Sequence, residues 1–368
     1  MDSRQLRRHR ELSPDGRLNF CSNDYLGLAT DERIASAMAE AAQQLGAGAG
    51  ASHLISGHTA EHDALERELA EFMGRERALV FSTGYMANLG VLSALADRRD
   101  LLIADELNHA SLIDAARLVR SASHLRYAHG DAAAAASLLD THAPAIAAAG
   151  GGSLVITDGV FSMDGDIAPL PALAAAAKKH EGWLVVDDAH GIGVIGATGR
   201  GSCEFLGLSP REVPVLVGTF GKAFGTFGAF VAGDSDVIEL LIQRARTYIY
   251  TTALPPAVAA ATRMALAVIK QEHWRREHLN SLVERFRAGA KARGLTLSGS
   301  TTPIQPMILG SSEAALAASG QLSTAGFRVT AIRPPTVPQG TARLRITLSA
   351  AHTEAQVDSL LAALEAAI

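Results

Sequence analysis

The segment GWLVVDDAHGIGVIGATGRG, residues 182–201, decides between two folds for this chain. It opens on an apolar run of strand composition and continues with glycines at the G-x-G-x-x-G spacing of a dinucleotide site, Gly191, Gly193 and Gly196. Between the run and the glycines stand two acids and an imidazole, Asp187, Asp188 and His190. A dinucleotide site has its glycines directly after the strand and begins a helix at the last one. Because ATGRGS after Gly196 is poor helix material, we predict a turn that lines a site of another kind.

The composition is that of an enzyme-like globular protein. The 368 residues are 48% hydrophobic and 19% charged, with a net charge of −5, which argues against a disordered chain and against a nucleic-acid partner. The basic cluster RQLRRHR at Arg4–Arg10 indicates either a solvated helix or a site for an acidic ligand.

Cys21 and Cys203 lack the spacing of a disulfide framework or a cysteine metal site and fit a reducing compartment. We recognise neither a signal peptide nor an apolar run of bilayer length, so we expect a cytoplasmic protein with no membrane partner.

From about residue 60, short β-branched apolar runs alternate with helix-length segments. The predicted strands are ALVFS (78–82), LLIAD (101–105), HLRYA (124–128), SLVITD (153–158), WLVVDD (183–188), VLVGTF (215–220) and AFVAG (229–233). This alternation predicts an α/β fold in which a mainly parallel sheet lies between helices. In the alanine-rich part, DAAAAASLLD predicts a helix and APAIAAAGGG a loop.

The composition shifts near LPPAVAA (254–260), where a long helical region begins. Three further strands are predicted beyond it, IQPMILG, FRVTAI and ARLRITL. They indicate a smaller C-terminal α+β domain that the N-terminal segment joins. We therefore predict an N-terminal segment at 1–38, a large α/β domain at 39–272 and a small domain at 273–368.

The residues that follow the predicted strands are the candidates for chemistry, because ligands bind beyond the carboxyl ends of the strands in open α/β sheets. TGYMAN puts Gly84 and Tyr85 at the start of a helix, where free N–H groups suit a phosphate. Further polar groups at strand ends are His109, Ser162, Asp187, His190, Thr219 and Lys222. Each alone is more often a cap or a hydrogen-bonded loop residue. Together they match pyridoxal 5′-phosphate (PLP), which takes an acid at its pyridine nitrogen, a lysine for a Schiff base and a helix N-terminus for its phosphate.

The segment HTAEH, residues 58–62, fits the H-x-x-E-H pattern of some metalloproteases. A zinc site there needs a third ligand on a nearby element, and no paired motif follows downstream. Thr59 more simply caps a helix that begins at about this point, so we predict no metal site.

Over almost its whole length the chain resembles the α-oxoamine synthases, fold-type-I PLP enzymes that condense an amino acid with an acyl thioester and release CO2. The blocks that carry the resemblance are LNFCSNDYLGLA (18–29), STGYMANLGVL (82–92), DELNHASLIDAAR (105–117), DGVFSMDGDIAPL (158–170), VDDAHGIGVIGATGRGS (186–202), GTFGKAFG (218–225) and IRPPTVPQGTARLRITLSAAHT (332–353). Within the family, the DDAHG and IRPPTVP blocks look most like the members that serve biotin biosynthesis.

The resemblance implies a role for each matched residue. Lys222 would carry the Schiff base and remove the Cα proton of the amino acid. Around the ring it implies Asp187 at the pyridine nitrogen, His190 at the ring hydroxyl and His109 stacked on the ring face. The phosphate or neighbouring ring atoms would be held by Gly84, Tyr85, Ser162 and Thr219, and across a dimer by Thr252. The substrates would meet Arg345, as the clamp of the amino-acid carboxylate, with Asn23, Thr336 and, for the acyl substrate, Arg7.

The same resemblance implies that a cytoplasmic homodimer condenses L-alanine with a pimeloyl thioester, carried by coenzyme A or by an acyl carrier protein. A relative that uses glycine and a smaller acyl thioester, such as a 2-amino-3-ketobutyrate CoA ligase, is the second hypothesis. Asp158 favours it, because glycine-using members often carry aspartate there. The alternative of a different class is a dinucleotide-dependent oxidoreductase that relies on Gly191–Gly196.

Overall fold

A computed structural model describes residue 12, residues 16–119 and residues 123–368. The chain divides into two compact units. The larger unit comprises Leu28–Phe161 and Ile167–His273, and the smaller comprises Ser162–Asp166 and Trp274–Ile368 with the described part of Met1–Gly27. The predicted domain bounds at 1–38, 39–272 and 273–368 stay predictions.

The strands, in chain order, are β1 (Leu18–Asn19), β2 (Arg77–Phe81), β3 (Leu101–Asp105), β4 (Ser123–Tyr127), β5 (Ser153–Asp158), β6 (Trp183–Asp187), β7 (Val215–Thr219), β8 (Ala229–Gly233), β9 (Ile304–Gly310), β10 (Phe327–Arg328), β11 (Thr330–Ile332) and β12 (Ala342–Thr347). The α-helices are α1 (Glu32–Leu45), α2 (Ala60–Met73), α3 (Gly84–Leu95), α4 (Ala110–Leu118), α5 (Ala132–Ala148), α6 (Leu170–Lys179), α7 (Ser202–Phe205), α8 (Ser235–Arg244), α9 (Arg246–Ile249), α10 (Pro256–Gln271), α11 (Trp274–Ala292), α12 (Ser312–Thr324) and α13 (Glu354–Ala367). A short π-helical segment covers His53–Gly57.

The larger unit is built on a seven-stranded sheet in the order β2-β8-β7-β6-β5-β3-β4. β8 runs antiparallel to both of its neighbours, and the other strands run parallel to one another. This topology confirms the predicted α/β class with a mainly parallel sheet. Because parallel strands end at the same edge, the residues after β2, β3, β5, β6 and β7 meet at one edge of the sheet.

Both faces of this sheet are buried, as the continuous apolar runs of its strands predict. One face packs on α3, α4 and α8 in a cluster that includes Leu112, Ile156 and Val231. Helices α5 and α6 contact β3, β4, β5 and β6. The intervening strand residues, such as Ile103 and Val155, are fully buried as well. None of the helices in the described ranges has the length and apolar content that a bilayer crossing requires.

The smaller unit contains an antiparallel sheet in the order β11-β12-β9, and β1 pairs in parallel with β10. Helix α12 packs on β9, β11 and β12, and α13 packs on α11 and α12. The central strand β12 is buried at every residue. It therefore carries two arginines, Arg343 and Arg345, into the interior of this unit.

Two local predictions are wrong. FRVTAI forms two short strands, because Phe327 and Arg328 pair with β1 whereas Thr330–Ile332 pairs with β12. APAIAAAGGG does not form a loop before its glycines, because α5 continues through Pro144 to Ala148. Alanine is the strongest helix former, and alanines on both sides of Pro144 continue the helix past it.

Candidate active site

The connection from β2 to α3 forms an open cradle. Thr83 caps α3, since its side-chain oxygen accepts from the N–H of Met86 at 3.1 Å. The first two N–H groups of the helix, those of Gly84 and Tyr85, donate to no acceptor in the described part of the chain. A Cβ on Gly84 would meet only Thr219, at 4.0 Å. Two available N–H groups at the positive end of a helix, with open space beside them, fit a phosphate group.

Thr219 and Tyr85 border this cradle and are held by their own partners. The Thr219 hydroxyl donates to the carbonyl of Gly228 at 2.9 Å and accepts from the N–H of Gly221 at 3.3 Å. The Tyr85 hydroxyl donates to the carboxylate of Asp114 on α4. Each side chain is thus positioned before any ligand binds.

Asp187, the last residue of β6, is buried and held by two donors. Its Oδ2 accepts from Asn88 Nδ2 at 2.6 Å, and its Oδ1 accepts from the N–H of Ala189 at 3.0 Å. Asn88 also donates to Ser111 Oγ at 2.8 Å, and Ser111 Oγ lies 2.7 Å from His109 Nδ1. This chain of hydrogen bonds joins β6, α3 and α4, and it fixes the direction of both the carboxylate and the imidazole.

His109 stands at the N-terminus of α4, where its N–H donates to Asp158 Oδ2 at 2.7 Å. Burial lowers the pKa of His109, while the Asp187 carboxylate raises it and the Lys222 ammonium lowers it further. The charges of Asp187 and Lys222 thus both act on His109. Because its pKa lies below the ordinary value, the His109 imidazole is neutral at pH 7. Burial also raises the pKa of Asp158 well above its usual range, and the charge of Asp187 adds to that rise.

The glycines after β6 surround a second buried acid, Asp188. Its Oδ2 accepts from the N–H of Ser202 at 2.6 Å, and its Oδ1 has no hydrogen-bond partner in the described ranges. A Cβ would lie 2.1 Å from the Asp188 carboxylate if added to Gly191 and 2.0 Å from it if added to Gly201. Burial raises the pKa of Asp188 to about 7. These glycines are therefore required by the close packing of a buried carboxyl group.

The same segment excludes the dinucleotide hypothesis. Residues 189–200 form turns and bends, and the next helix, α7, begins only at Ser202 and ends at Phe205. A pyrophosphate site needs a longer helix that begins at the last glycine of the motif. His190 lies in this turn and is buried.

The smaller unit holds an arginine whose guanidinium is fixed on one side. Arg345 is 6% exposed, and it donates from Nε to the carbonyl of Ser162 at 2.6 Å and from Nη2 to Asn23 Oδ1 at 3.1 Å. The Tyr25 hydroxyl donates to the same Asn23 oxygen at 3.2 Å. Burial raises the pKa of Tyr25 to about 12, and Arg345 opposes that rise. A guanidinium has five N–H donors, so those that remain suffice for a two-bond contact with a carboxylate.

The remaining predicted residues are spread over the two units. Ser162 belongs to the smaller unit, where its carbonyl accepts from Arg345. Thr336 is exposed in a turn of that unit and donates its N–H to the carbonyl of Arg333 at 3.1 Å. Thr252 is exposed in the larger unit and forms an isolated bridge with Ser52. Arg7 lies outside the described residues. The assigned roles of all these residues stay predictions.

Two members of the hydrogen-bonded chain were not predicted from the sequence. Asn88 lies one helical turn after Gly84, and Ser111 lies two residues after His109. The i, i+4 spacing of Gly84 and Asn88 was an available signal, because it puts both on one face of α3. Ser111 offered only its place in the first turn of a helix.

Known sequences match this chain over most of its length. The pattern of the family described as aminotransferase class I and II matches residues 15–364. The 8-amino-7-oxononanoate synthase of Methylococcus capsulatus is 59% identical over 353 residues, which cover 96% of this chain and 89% of that protein. The enzyme of the same name from Stutzerimonas stutzeri is 58% identical over 356 residues, which cover 96% of this chain and 89% of that protein.

Solved structures match this chain as well. A serine palmitoyltransferase from S. paucimobilis with a bound PLP–myriocin aldimine has a TM-score of 0.90 at 34% identity, covering 95% of this chain and 87% of that chain. An 8-amino-7-oxononanoate synthase from Francisella tularensis has a TM-score of 0.81 at 32% identity, covering 96% of this chain and 98% of that chain. The predicted PLP cofactor and the predicted resemblance are confirmed. The chain belongs to the aminotransferase class I and II family, in its α-oxoamine synthase branch with the 8-amino-7-oxononanoate synthases.

Proposed function

We propose that this protein catalyses the PLP-dependent condensation of L-alanine with a pimeloyl thioester, which yields 8-amino-7-oxononanoate, CO2 and the free carrier in biotin biosynthesis. The observation that carries the proposal is the hydrogen-bonded chain from His109 through Ser111 and Asn88 to Asp187, in the neighbourhood of Lys222. Identity of 59% to a protein of that name supports it. Coenzyme A or an acyl carrier protein would carry the acyl group, and the enzyme would work as a cytoplasmic homodimer.

Residues of the larger unit fit PLP. The N–H groups of Gly84 and Tyr85 would hold its phosphate, and Lys222 would hold its aldehyde carbon covalently. Bound in this way, PLP supplies an electron-withdrawing ring conjugated to the amino-acid Cα. Further contacts from this unit would come from His190 to the ring hydroxyl, from Thr219 to the phosphate or ring atoms, and from Thr252 across a dimer. Ser162, which belongs to the smaller unit, would also contact the phosphate or ring atoms.

Asp187 would hold the proton on the pyridine nitrogen. Both of its oxygens already accept a hydrogen bond, so the carboxylate cannot rotate away from its direction. It is 5% exposed, and a charge in such a place acts on a neighbouring cation more strongly than it would in water. Asn88 is the positioning residue in this arrangement, because it would act through its hydrogen bond to Asp187.

His109 would stack on the ring as a neutral imidazole. Burial lowers its pKa, so at pH 7 it does not compete with the pyridine nitrogen for the charge of Asp187. Its Nδ1 contacts Ser111 and its backbone N–H donates to Asp158. Together these two contacts fix the plane of the imidazole.

Lys222 would remove the Cα proton and later return one. It follows β7, and β7 pairs with β6 so that Val217 lies opposite Asp187. Two adjacent strands therefore set the spacing between the base and the acid.

In the smaller unit, Arg345 and Asn23 would hold the amino-acid carboxylate. Thr336 and Arg7 would meet the substrates as well, Arg7 on the acyl side.

The test is product formation by the PLP-loaded full-length chain. We expect 8-amino-7-oxononanoate by mass spectrometry from L-alanine with pimeloyl-CoA or pimeloyl-acyl carrier protein, with one CO2 released from the alanine carboxyl group. Lys222→Ala should abolish product and remove the covalent cofactor absorption band. Product only from glycine with a short acyl-CoA would overturn the substrate assignment, and a retained band in Lys222→Ala would overturn the role of the lysine.

A further inference from the structure

Three histidines of the larger unit come together in a cluster that the proposed function does not use. They are His53 in the π-helical segment, His58 before α2 and His62 in its first turn. One ring nitrogen from each lies within 4.8 Å of the others, and the Nδ1 atoms of His53 and His58 are 3.0 Å apart. The HTAEH pattern supplies two of these residues. The third, His53, comes from upstream, where no metal motif predicts it, and it is the nearby ligand whose absence led to the sequence prediction of no metal site.

We propose that His53, His58 and His62 bind one divalent transition-metal ion of the Zn²⁺ class. Two imidazole nitrogens on a tetrahedral Zn²⁺ at about 2.0–2.1 Å are roughly 3.3 Å apart. The observed 3.0 Å separation between His53 and His58 is close to this value. With no ion bound, a bond of this length has the Nδ1–H of one imidazole donating to the Nδ1 of the other. On metal binding the donor imidazole would carry its proton on Nε2 instead, so that both Nδ1 lone pairs face the ion.

The third ligand has its tautomer set by the fold. Nε2 of His62 lies 2.6 Å from the carbonyl of Leu254, an acceptor only, so this nitrogen carries the proton. Nδ1 therefore holds a lone pair, which accepts from the N–H of Thr59 at 3.1 Å and lies 2.9 Å from the Thr59 hydroxyl. A backbone carbonyl behind the imidazole is the usual outer partner of a metal-binding histidine. On metal binding, Thr59, which is half-buried, would donate to water instead.

The charge state of the cluster suits a metal ion. Burial lowers the pKa of all three histidines, and for His53 the neighbouring rings of His62 and His58 lower it further, to about 3. The imidazoles are thus neutral at pH 7, which is the form that binds metals. Three neutral nitrogens without a carboxylate favour Zn²⁺, Ni²⁺ or Cu²⁺ over Mg²⁺ or Ca²⁺.

The cluster is both rigid and accessible. His53 is 8% exposed and stacks on Tyr248 with ring centroids 4.9 Å apart, and His62 is 0% exposed. His58 is exposed, which leaves an entry path and a coordination position for water. The ion would tie the π-helical segment to α2, next to the Leu254 carbonyl. Because it would bind only the folded chain, it should raise the thermal midpoint.

The test is calorimetric titration of Zn²⁺ into the tag-free, PLP-loaded full-length chain after treatment with a chelator. We expect one ion per chain, with a Kd in the micromolar range or tighter, and a rise in the thermal midpoint. Co²⁺ should give the visible absorption of a tetrahedral site, whereas Mg²⁺ should bind at least tenfold more weakly.

His58→Ala is the main variant, because His58 is exposed and its loss does not disturb the core. It should weaken Zn²⁺ binding at least tenfold, and His53→Asn should do the same. His273→Ala, which changes an exposed histidine outside the cluster, should bind as the wild type does. Equal affinity in His58→Ala and His273→Ala, or no saturable binding by the wild type, would overturn the proposal.

Discussion

Replacing Arg345 by lysine tests whether the smaller unit binds the amino acid. Two of the guanidinium donors are committed to the Ser162 carbonyl at 2.6 Å and to Asn23 Oδ1 at 3.1 Å. Lysine keeps the positive charge but carries three donors on a single nitrogen. It cannot keep both of these bonds and also make two parallel bonds to a carboxylate.

The expected loss is that of one charge-assisted hydrogen bond. Such a bond contributes about 1.5–3 kcal/mol, and about 1.4 kcal/mol corresponds to a tenfold change. Arg345→Lys should therefore lower kcat/KM for L-alanine by roughly 10- to 150-fold. The KM for the acyl thioester should change by less than about threefold, because this contact does not hold the acyl group.

Arg343→Lys is the matched control. Arg343 stands two residues earlier on the same face of β12, is 3% exposed, and donates to the carboxylate of Asp164 and to the carbonyl of Met163. Its charge already has a partner in the protein, so its replacement should lower the thermal midpoint and leave kcat/KM for L-alanine within about twofold. The assay is the initial rate of product formation with L-alanine varied at saturating pimeloyl-CoA. Equal losses in both variants, or no loss in Arg345→Lys, would show that the carboxylate binds elsewhere.

Three further predictions concern the larger unit. The pKa of Asp188 is about 7 in the folded chain against an ordinary 3.8. Because the folded chain favours the protonated carboxyl, the contribution of Asp188 to the free energy of unfolding is fully present below about pH 4. It falls by roughly 4 kcal/mol as the pH rises from there through 7. Asp188→Asn should therefore gain thermal stability over the wild type at pH 8 more than at pH 4.5, and parallel midpoint curves would contradict this. A Cβ at position 84 would lie 4.0 Å from Thr219, so Gly84→Ala should fold normally. Its methyl group should weaken PLP binding at least tenfold in an absorbance titration, and unchanged affinity would show that the phosphate binds elsewhere. Asn88→Ala removes a donor from Asp187 and should cost about 1.5–3 kcal/mol in urea unfolding of the PLP-free chain, whereas no loss would mean that the bond is not made.

Much of the larger unit could be predicted from local sequence. LLIAD, SLVITD and AFVAG are strands with the predicted bounds, at Leu101–Asp105, Ser153–Asp158 and Ala229–Gly233. Strands buried on both faces are continuous apolar runs that end at polar or glycine residues, so their limits are visible in the sequence. Parallel pairing then brings the strand ends to one edge, which is why Asp187, His109 and Lys222 could be predicted to meet.

Contacts between distant segments could not be predicted in this way. Asn88 reaches Asp187 across 99 residues, and Arg345 reaches Ser162 across 183. No sequence period or motif spacing indicates either contact, because each forms only when complete secondary-structure elements pack against one another. FRVTAI is divided for the same reason, since its first half pairs with β1 and its second half pairs with β12.

The sequence by itself determined the α/β class, the strand ends and the residue types that suit PLP, because burial periodicity and strand-end chemistry are local properties of a chain. Only the tertiary structure decided which partners hold those residues and how burial changes their pKa values. It alone brought His53 to the two histidines of HTAEH. Hydrogen-bond direction and desolvation depend on atoms from several segments at once, and those atoms meet only when the chain has folded.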